Sequence, residues 1–170
     1  QRMWVAPTLV ARDIDHADRP PAGVEHWCGR AGEEAVAVEE VLAAAEKLKG
    51  AGQQGVYTTA WPSWMHIENF SAWHNVPIGT KENGMGGMDT EFKVNSPLHV
   101  RHIAMLGDMA KKGLLTYAGR TNQAEAKFAS GECAMLTSST GAQANIRRTA
   151  KFGWSVNMIP YHDDVKGAPQ

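Results

Sequence analysis

Val56-Tyr57-Thr58-Thr59-Ala60-Trp61-Pro62-Ser63-Trp64 is the stretch that decides the fold. The β-branched and aromatic run from Val56 to Ala60 follows a glycine-containing turn and reads as a short buried strand ending at Trp61. Pro62 closes that strand, because proline has no N–H to give to a ladder. Ser63 then offers a side-chain oxygen to cap a helix through Met65, Ile67, Glu68, Phe70 and Ser71 toward His74. A strand that hands over to a helix within three residues is one step of an alternating α/β chain.

The same alternation extends in both directions. Upstream, Val38, Val41, Leu42, Ala45 and Leu48 recur at helical spacing, with Lys47 and Lys49 in the last turn and Gly50 as a stop. Downstream, Thr80 to Asn95 carries Gly84, Gly86 and Gly87, a loop or hairpin signal with Glu91 to Val94 as a small strand. Ser96-Pro97 opens a helix, since serine caps and proline suits the first helical position. Val100, Ile103, Ala104 and Met109 are expected on its inner face, and Lys111-Lys112-Gly113 at its end. A short helix follows from Thr121 through Phe128. Cys133 to Thr137 reads as an interior strand, Ser138, Ser139 and Thr140 start a helix with Ala142, Ile146 and Ala150 inward, and Phe152 to Pro160 returns as a strand. The predicted class is an α/β layered domain. Gln1 to about Ala37 shows no sustained period and receives no element.

At 170 residues the chain supports one domain of ordinary size. Its 17 Lys and Arg are matched by 18 Asp and Glu scattered along the chain, so neither a nucleic-acid groove nor a polybasic membrane surface is indicated. Six tryptophans outnumber four phenylalanines and three tyrosines, which points to stacking. No basic, apolar leader follows Gln1, the expectation for a leader already removed or lying outside this chain.

Two strand-to-helix junctions stand out as candidate sites, because ligands of open α/β sheets bind outside the carboxyl ends of strands. At the first, Trp61 and Trp64 can present two indoles to one ligand; the plainer alternative has Trp64 packed under its helix. At the second, Thr137-Ser138-Ser139-Thr140-Gly141 offers hydroxyls and a helix start to an anion; the plainer alternative is simple capping by Ser138 or Ser139. Enzymatic patterns are weak. Gly84 to Gly87 lacks the Lys-Ser/Thr of a P-loop and a preceding strand, and no GxSxG surrounds Ser138 or Ser139. His66, Glu68 and His74 share a helix, yet Phe70 stands where a second metal-binding histidine would be needed. His99 and His102 are expected at the surface. Cys28 and Cys133 form no CxxC, which leaves a disulfide between them open.

Trp61-Pro62-Ser63-Trp64 with Glu68-Asn69-Phe70-Ser71-Ala72-Trp73 resembles the family of periplasmic sn-glycerol-3-phosphate-binding proteins, solute receptors of ABC importers. The resemblance continues through His102 to Leu106, Lys111-Lys112-Gly113, Gly131 to Met135, Ala144 to Arg147, Ala150 to Phe152 and Met158 to Tyr161. It implies a type II-like periplasmic-binding-protein lobe, here a fragment that is mostly the C-terminal lobe, with residues 38–170 as a partial solute-binding lobe. It also implies capture by closure of two lobes without catalysis, a phosphorylated glycerol ligand, docking on a permease in the inner membrane, a monomeric periplasmic protein, and no cofactor or metal. Trp61 and Trp64 match the two tryptophans the family sets against its ligand, and Ser139 matches a serine that hydrogen-bonds it. Receptors for an oligosaccharide or another polyol form the alternative, and a glycerophosphodiester hydrolase a remote one. Residues 1–37 depart from the crossover strand the family pattern calls for, as a divergent or out-of-frame start would. The family pattern implies a cysteine just before the Tyr57 strand, where this chain has Gly55, so Cys133 lacks that partner and no disulfide is predicted.

Overall fold

The computed structural model describes residues 7–12 and 36–165. The readings that involve Cys28 and the start of the chain outside β1 lie beyond the described residues. Five strands form one mixed sheet in the order β3-β2-β4-β1-β5: β1 (Pro7–Arg12), β2 (Gly55–Thr59), β3 (Leu115–Thr116), β4 (Cys133–Ser139) and β5 (Trp154–Met158). β2 runs parallel to both β3 and β4, while β1 is antiparallel to β4 and to β5. β1 comes from a segment without any periodic signal. Its place is set by pairing on both edges, a tertiary choice that overrides weak local propensity.

The helices cover both faces. Helix α1 (Val38–Gly50) buries Val38, Val41, Ala44, Ala45 and Leu48, with Glu39 and Glu40 in its first turn and Lys47 and Lys49 in its last, so its charges oppose the helix dipole favourably. A π-helical turn (Trp64–Asn69) continues into α2 (Phe70–Trp73). Helix α3 (Pro97–Lys111) opens as expected, with Pro97 in the first turn and Ser96 Oγ accepting from the His99 N–H at 3.4 Å. Gly113 terminates it with a left-handed φ of 68°. A short helical segment at Thr80–Asn83 contains left-handed Lys81 and Glu82, and helices α4 (Gln123–Ala129) and α5 (Gln143–Thr149) follow, α5 entered through a 3₁₀ turn (Thr140–Ala142).

Adjacent strand residues point to opposite faces, so Met135 and Leu136 of β4 enter different cores. One core joins α1 and α3 to the sheet through Val41, Ala45, Leu48, Val56, Met109 and Met135. The other joins α4 and α5 through Phe128, Leu136, Ala142 and Ile146. β2 is buried along its whole length, as a central parallel strand should be. Gly55 has a packing reason: a Cβ there would lie 2.3 Å from the Glu132 carbonyl oxygen.

Two expectations fail here. The Glu91 to Val94 strand reduces to a single bridge between Gly79 and Phe92. Helix α3 is also rotated from its predicted register: Val100 and Ile103 are 59% and 45% exposed and Ala104 faces out, whereas His99, His102 and Met109 are buried. The apolar pattern gives the wrong register, because the inner stripe joins Met105, Leu106 and Met109 to two histidines whose nitrogens all have partners.

Candidate functional site

β2 and β4 are parallel and in register at Thr59 and Thr137, so both carboxyl ends open on one edge of the sheet. The Ala60 N–H reaches the Thr137 carbonyl at 2.9 Å and extends that register one step beyond β2. Trp61 then leaves the sheet, its N–H bonded to the Thr121 carbonyl at 3.0 Å and its own carbonyl accepting from the Met65 N–H at 2.9 Å. Its φ of 49° puts a bulky side chain in the left-handed region, a strained state that only fixed surroundings maintain. The indole is 41% exposed at the rim.

Pro62 and Ser63 already lie inside the helical turn. Ser63 was expected to cap it, but its φ and ψ of −63° and −48° are helical and its side chain caps nothing, so Trp61 holds the capping position instead. Trp64 is half-buried at the start of the π turn, where Asn69 Nδ2 donates to the Trp64 carbonyl at 2.9 Å. On the neighbouring strand, half-buried Ser139 accepts from the Gly141 N–H through its Oγ at 3.1 Å, the capping role. Ser138 points the other way and donates to buried Glu125 at 2.9 Å. Trp61, Trp64 and Ser139 thus gather at two adjacent strand ends, while Ser138 is structural.

Behind this rim lies a feature the sequence did not disclose. His66, His74, His99, His102 and His162 are all buried, around Phe70, whose ring stacks on His102 at 3.9 Å between centroids. His99 and His102 were expected at the surface and are 1% and 4% exposed. Both nitrogens of each are satisfied: His99 by Ser71 and Ser96 at 2.7 Å each, His102 by His66 at 3.1 Å and His162 at 3.3 Å. Burial of a hydrogen-bonded neutral imidazole is affordable; burial of a charged one is not. Burial accordingly pushes His66 down to about 4. It also pushes His102 down to about 2, with repulsion from the other four histidines adding to the effect. Burial raises Tyr57 to about 12, against its bond to Thr137. The available signal was polar residues inside otherwise apolar patterns: Thr59 and Thr137 in buried strands, and histidines three apart on α3.

Among the described residues no group of three or more His, Cys, Asp or Glu could hold a metal ion. A cavity of about 30 Å³ lies beside the histidines, lined by Val38, Met65, Phe70, Met105 and Met109 among others. It has room for one or two water molecules and reaches from the α1 and α3 core to His66 and Thr137. Cys133 is free and buried, and burial raises its thiol. No described helix is long and apolar enough to cross a membrane.

Known proteins share this chain's pattern over most of its length. The family model described as bacterial extracellular solute-binding protein matches residues 35–170. The sn-glycerol-3-phosphate-binding periplasmic protein of Pectobacterium atrosepticum is 52% identical over 124 residues, 73% of this chain and 28% of that relative. Its Yersinia pestis counterpart is 47% identical over 132 residues, 78% of this chain and 30% of the relative. That of Salmonella typhimurium is 48% identical over 124 residues, 73% of this chain and 28% of the relative. The chain therefore spans under a third of the length of these relatives.

Proposed function

This chain belongs to the bacterial extracellular solute-binding protein family, and on that premise we propose that it takes part in capturing sn-glycerol-3-phosphate and glycerophosphodiesters for an ABC importer. Residues 38–170 act as part of a type II-like lobe, one wall of a cleft that a second lobe closes. Trp61 and Trp64 stack against the ligand, and Ser139, whose oxygen already accepts from Gly141, donates its hydroxyl proton to it. Closure buries the ligand and breaks no bond, so neither a nucleophile nor a cofactor enters the mechanism. The working form is a periplasmic monomer that delivers its cargo to a permease in the inner membrane.

The observation that carries this reading is the common edge of β2 and β4, from which Trp61 and Ser139 both emerge. The names of the relatives support the ligand class. Calorimetric titration of the 170-residue chain and of a full-length relative with sn-glycerol-3-phosphate and glycerophosphocholine tests the proposal. Weak binding to the chain and tight binding to the relative are expected. Tight binding by the chain alone would overturn the one-wall assignment, and preference of the relative for maltose would overturn the ligand class.

A further inference from the structure

A single path of hydrogen bonds crosses the molecule from an exposed carboxylate on α1 to a buried phenol on β2. Glu39 Oε1 meets His162 Nδ1 at 3.2 Å, His162 Nε2 meets His102 Nδ1 at 3.3 Å, and His102 Nε2 meets His66 Nδ1 at 3.1 Å. His66 Nε2 then meets Thr59 Oγ1 at 3.0 Å, Thr59 receives the Thr137 hydroxyl at 2.9 Å, and Thr137 meets the Tyr57 hydroxyl at 2.8 Å.

With each imidazole of the path neutral, proton counting gives every link a direction, the Thr59 hydroxyl turning to His66 at 3.0 Å rather than to the Ala60 carbonyl at 3.3 Å. An ionised carboxylate only accepts, and a neutral imidazole has one donor and one acceptor nitrogen. His162 therefore gives its Nδ1 proton to Glu39 and must accept at Nε2, which obliges His102 to donate from Nδ1 and His66 to do the same. His66 Nε2 then takes the Thr59 proton, Thr59 takes that of Thr137, and Thr137 takes that of Tyr57. All links point toward Glu39. Two side branches fix their own protons: His74 Nε2 accepts from the His162 backbone N–H at 2.9 Å, so its proton sits on Nδ1, bonded to the Phe70 carbonyl at 2.8 Å. Ser71 spends its proton on the Ile67 carbonyl, so it accepts from His99 Nε2, and His99 Nδ1 accepts from Ser96.

We propose that this ordered path is a pH-sensitive latch that holds the turn bearing Trp61 and Trp64 against the ends of β2 and β4. Thr59 and Thr137 each sit two residues before the candidate ligand residues Trp61 and Ser139, and His66 sits two residues after Trp64. The groups facing the path are Glu39 from α1, Tyr57 from β2, His66 and His74 from the π turn and α2, His99, Arg101 and His102 from α3, and His162, Asp163 and Asp164 from the C-terminal stretch. A further proton on His102 or His162 sets two donors face to face, and one on His66 leaves its Nδ1 link to His102 unchanged while turning the Thr59 hydroxyl away from His66 to the Ala60 carbonyl 3.3 Å off. Acid therefore opens the latch at His66, between the turn and the strands.

The meaning of the latch for ligand capture rests on the assignment of Trp61 and Trp64 above, so the test uses the ligand-free chain. Nitrogen-15 correlation spectra of its imidazoles near neutral pH should show His66, His74, His102 and His162 protonated on Nδ1, the less common tautomer of free histidine, and His99 on Nε2. On acidification the Trp64 indole signal should shift together with those of His66, around pH 4. Glu39→Ala, at an exposed position, should leave the fold intact and give His162 and His102 mixed tautomers. A proton on Nε2 of His66 or His102, an unaltered tautomer pattern in Glu39→Ala, or a Trp64 signal that moves independently of His66 would overturn the latch. Failure to bind glycerol phosphates would leave these spectra unchanged and would count only against the ligand assignment.

Discussion

The two faces of the sheet are packed with different chemistry. On the α4 and α5 face, Phe128 meets Phe152 edge to face at 5.5 Å and is joined by Leu136 and Ile146, with stability set by volume and contact. On the α1 and α3 face an apolar core gives way, near the strand ends, to five histidines and the hydroxyls of Tyr57, Thr59 and Thr137. The first arrangement rests on apolar contact, with Glu125 bonded to Ser138 at its margin. The second holds together only while its imidazoles stay neutral, so one molecule contains a core governed by shape and another governed by protons.

Phe128→Ala should give the largest separation of the two. Phe128 is fully buried, and truncation should cost about 3–5 kcal/mol. Chemical denaturation of this variant at pH 7.5 and at pH 5 should show the same loss relative to the parent; a loss that depends on pH would mean the faces are coupled.

Acidification of the parent chain should come next in size. His66 is held below its usual value of 6.5, at about 4, so the unfolded chain binds its proton first as pH falls. Stability is therefore full above pH 6.5 and is lost between 6.5 and about 4, at up to about 1.4 kcal/mol per pH unit for such a group. His102, held down to about 2, extends the loss further. His66→Leu should flatten the slope between pH 6.5 and 4 in denaturation midpoints; an unchanged slope would remove His66 from the account.

Trp61→Gly should act in the opposite direction. Relief of the positive φ should stabilise the fold by roughly 1 kcal/mol, while a full-length relative with the equivalent change should lose ligand affinity. Thermal melts and calorimetry read the two effects separately, and a destabilised variant would show that the indole contributes more packing than its exposure suggests. The smallest effect belongs to Arg101, whose guanidinium bonds Asp164 through both terminal nitrogens at 2.7 Å in the open. Arg101→Ala should leave the melting temperature nearly unchanged, and any residual difference should vanish in high salt.

Sequence reasoning reached the apolar face of α1, the strands β2 and β4, the opening of α3 at Ser96-Pro97, and the strand-end positions of Trp61, Trp64 and Ser139. Each rests on local chemistry: period, β-branching, caps and proline. What escaped was decided by contacts between distant segments. The inner face of α3 reads as polar until His66, Ser71 and His162 are seen to satisfy its histidines. The π turn depends on a side chain, Asn69, bonding back to Trp64. β1 has no internal signal because both of its ladders are supplied by strands near the other end of the chain.

That last strand has a consequence in time rather than in space. Among the described residues β5 has β1 as its only strand neighbour, and more than a hundred residues of sequence separate β1 from both partners. The three parallel strands can assemble from closer neighbours, but the remaining pairings must await a closure of high contact order, which folds slowly. During that wait an unpaired edge of β4 lies open to any passing strand, so the interval before β1 docks is when the chain is most prone to aggregate.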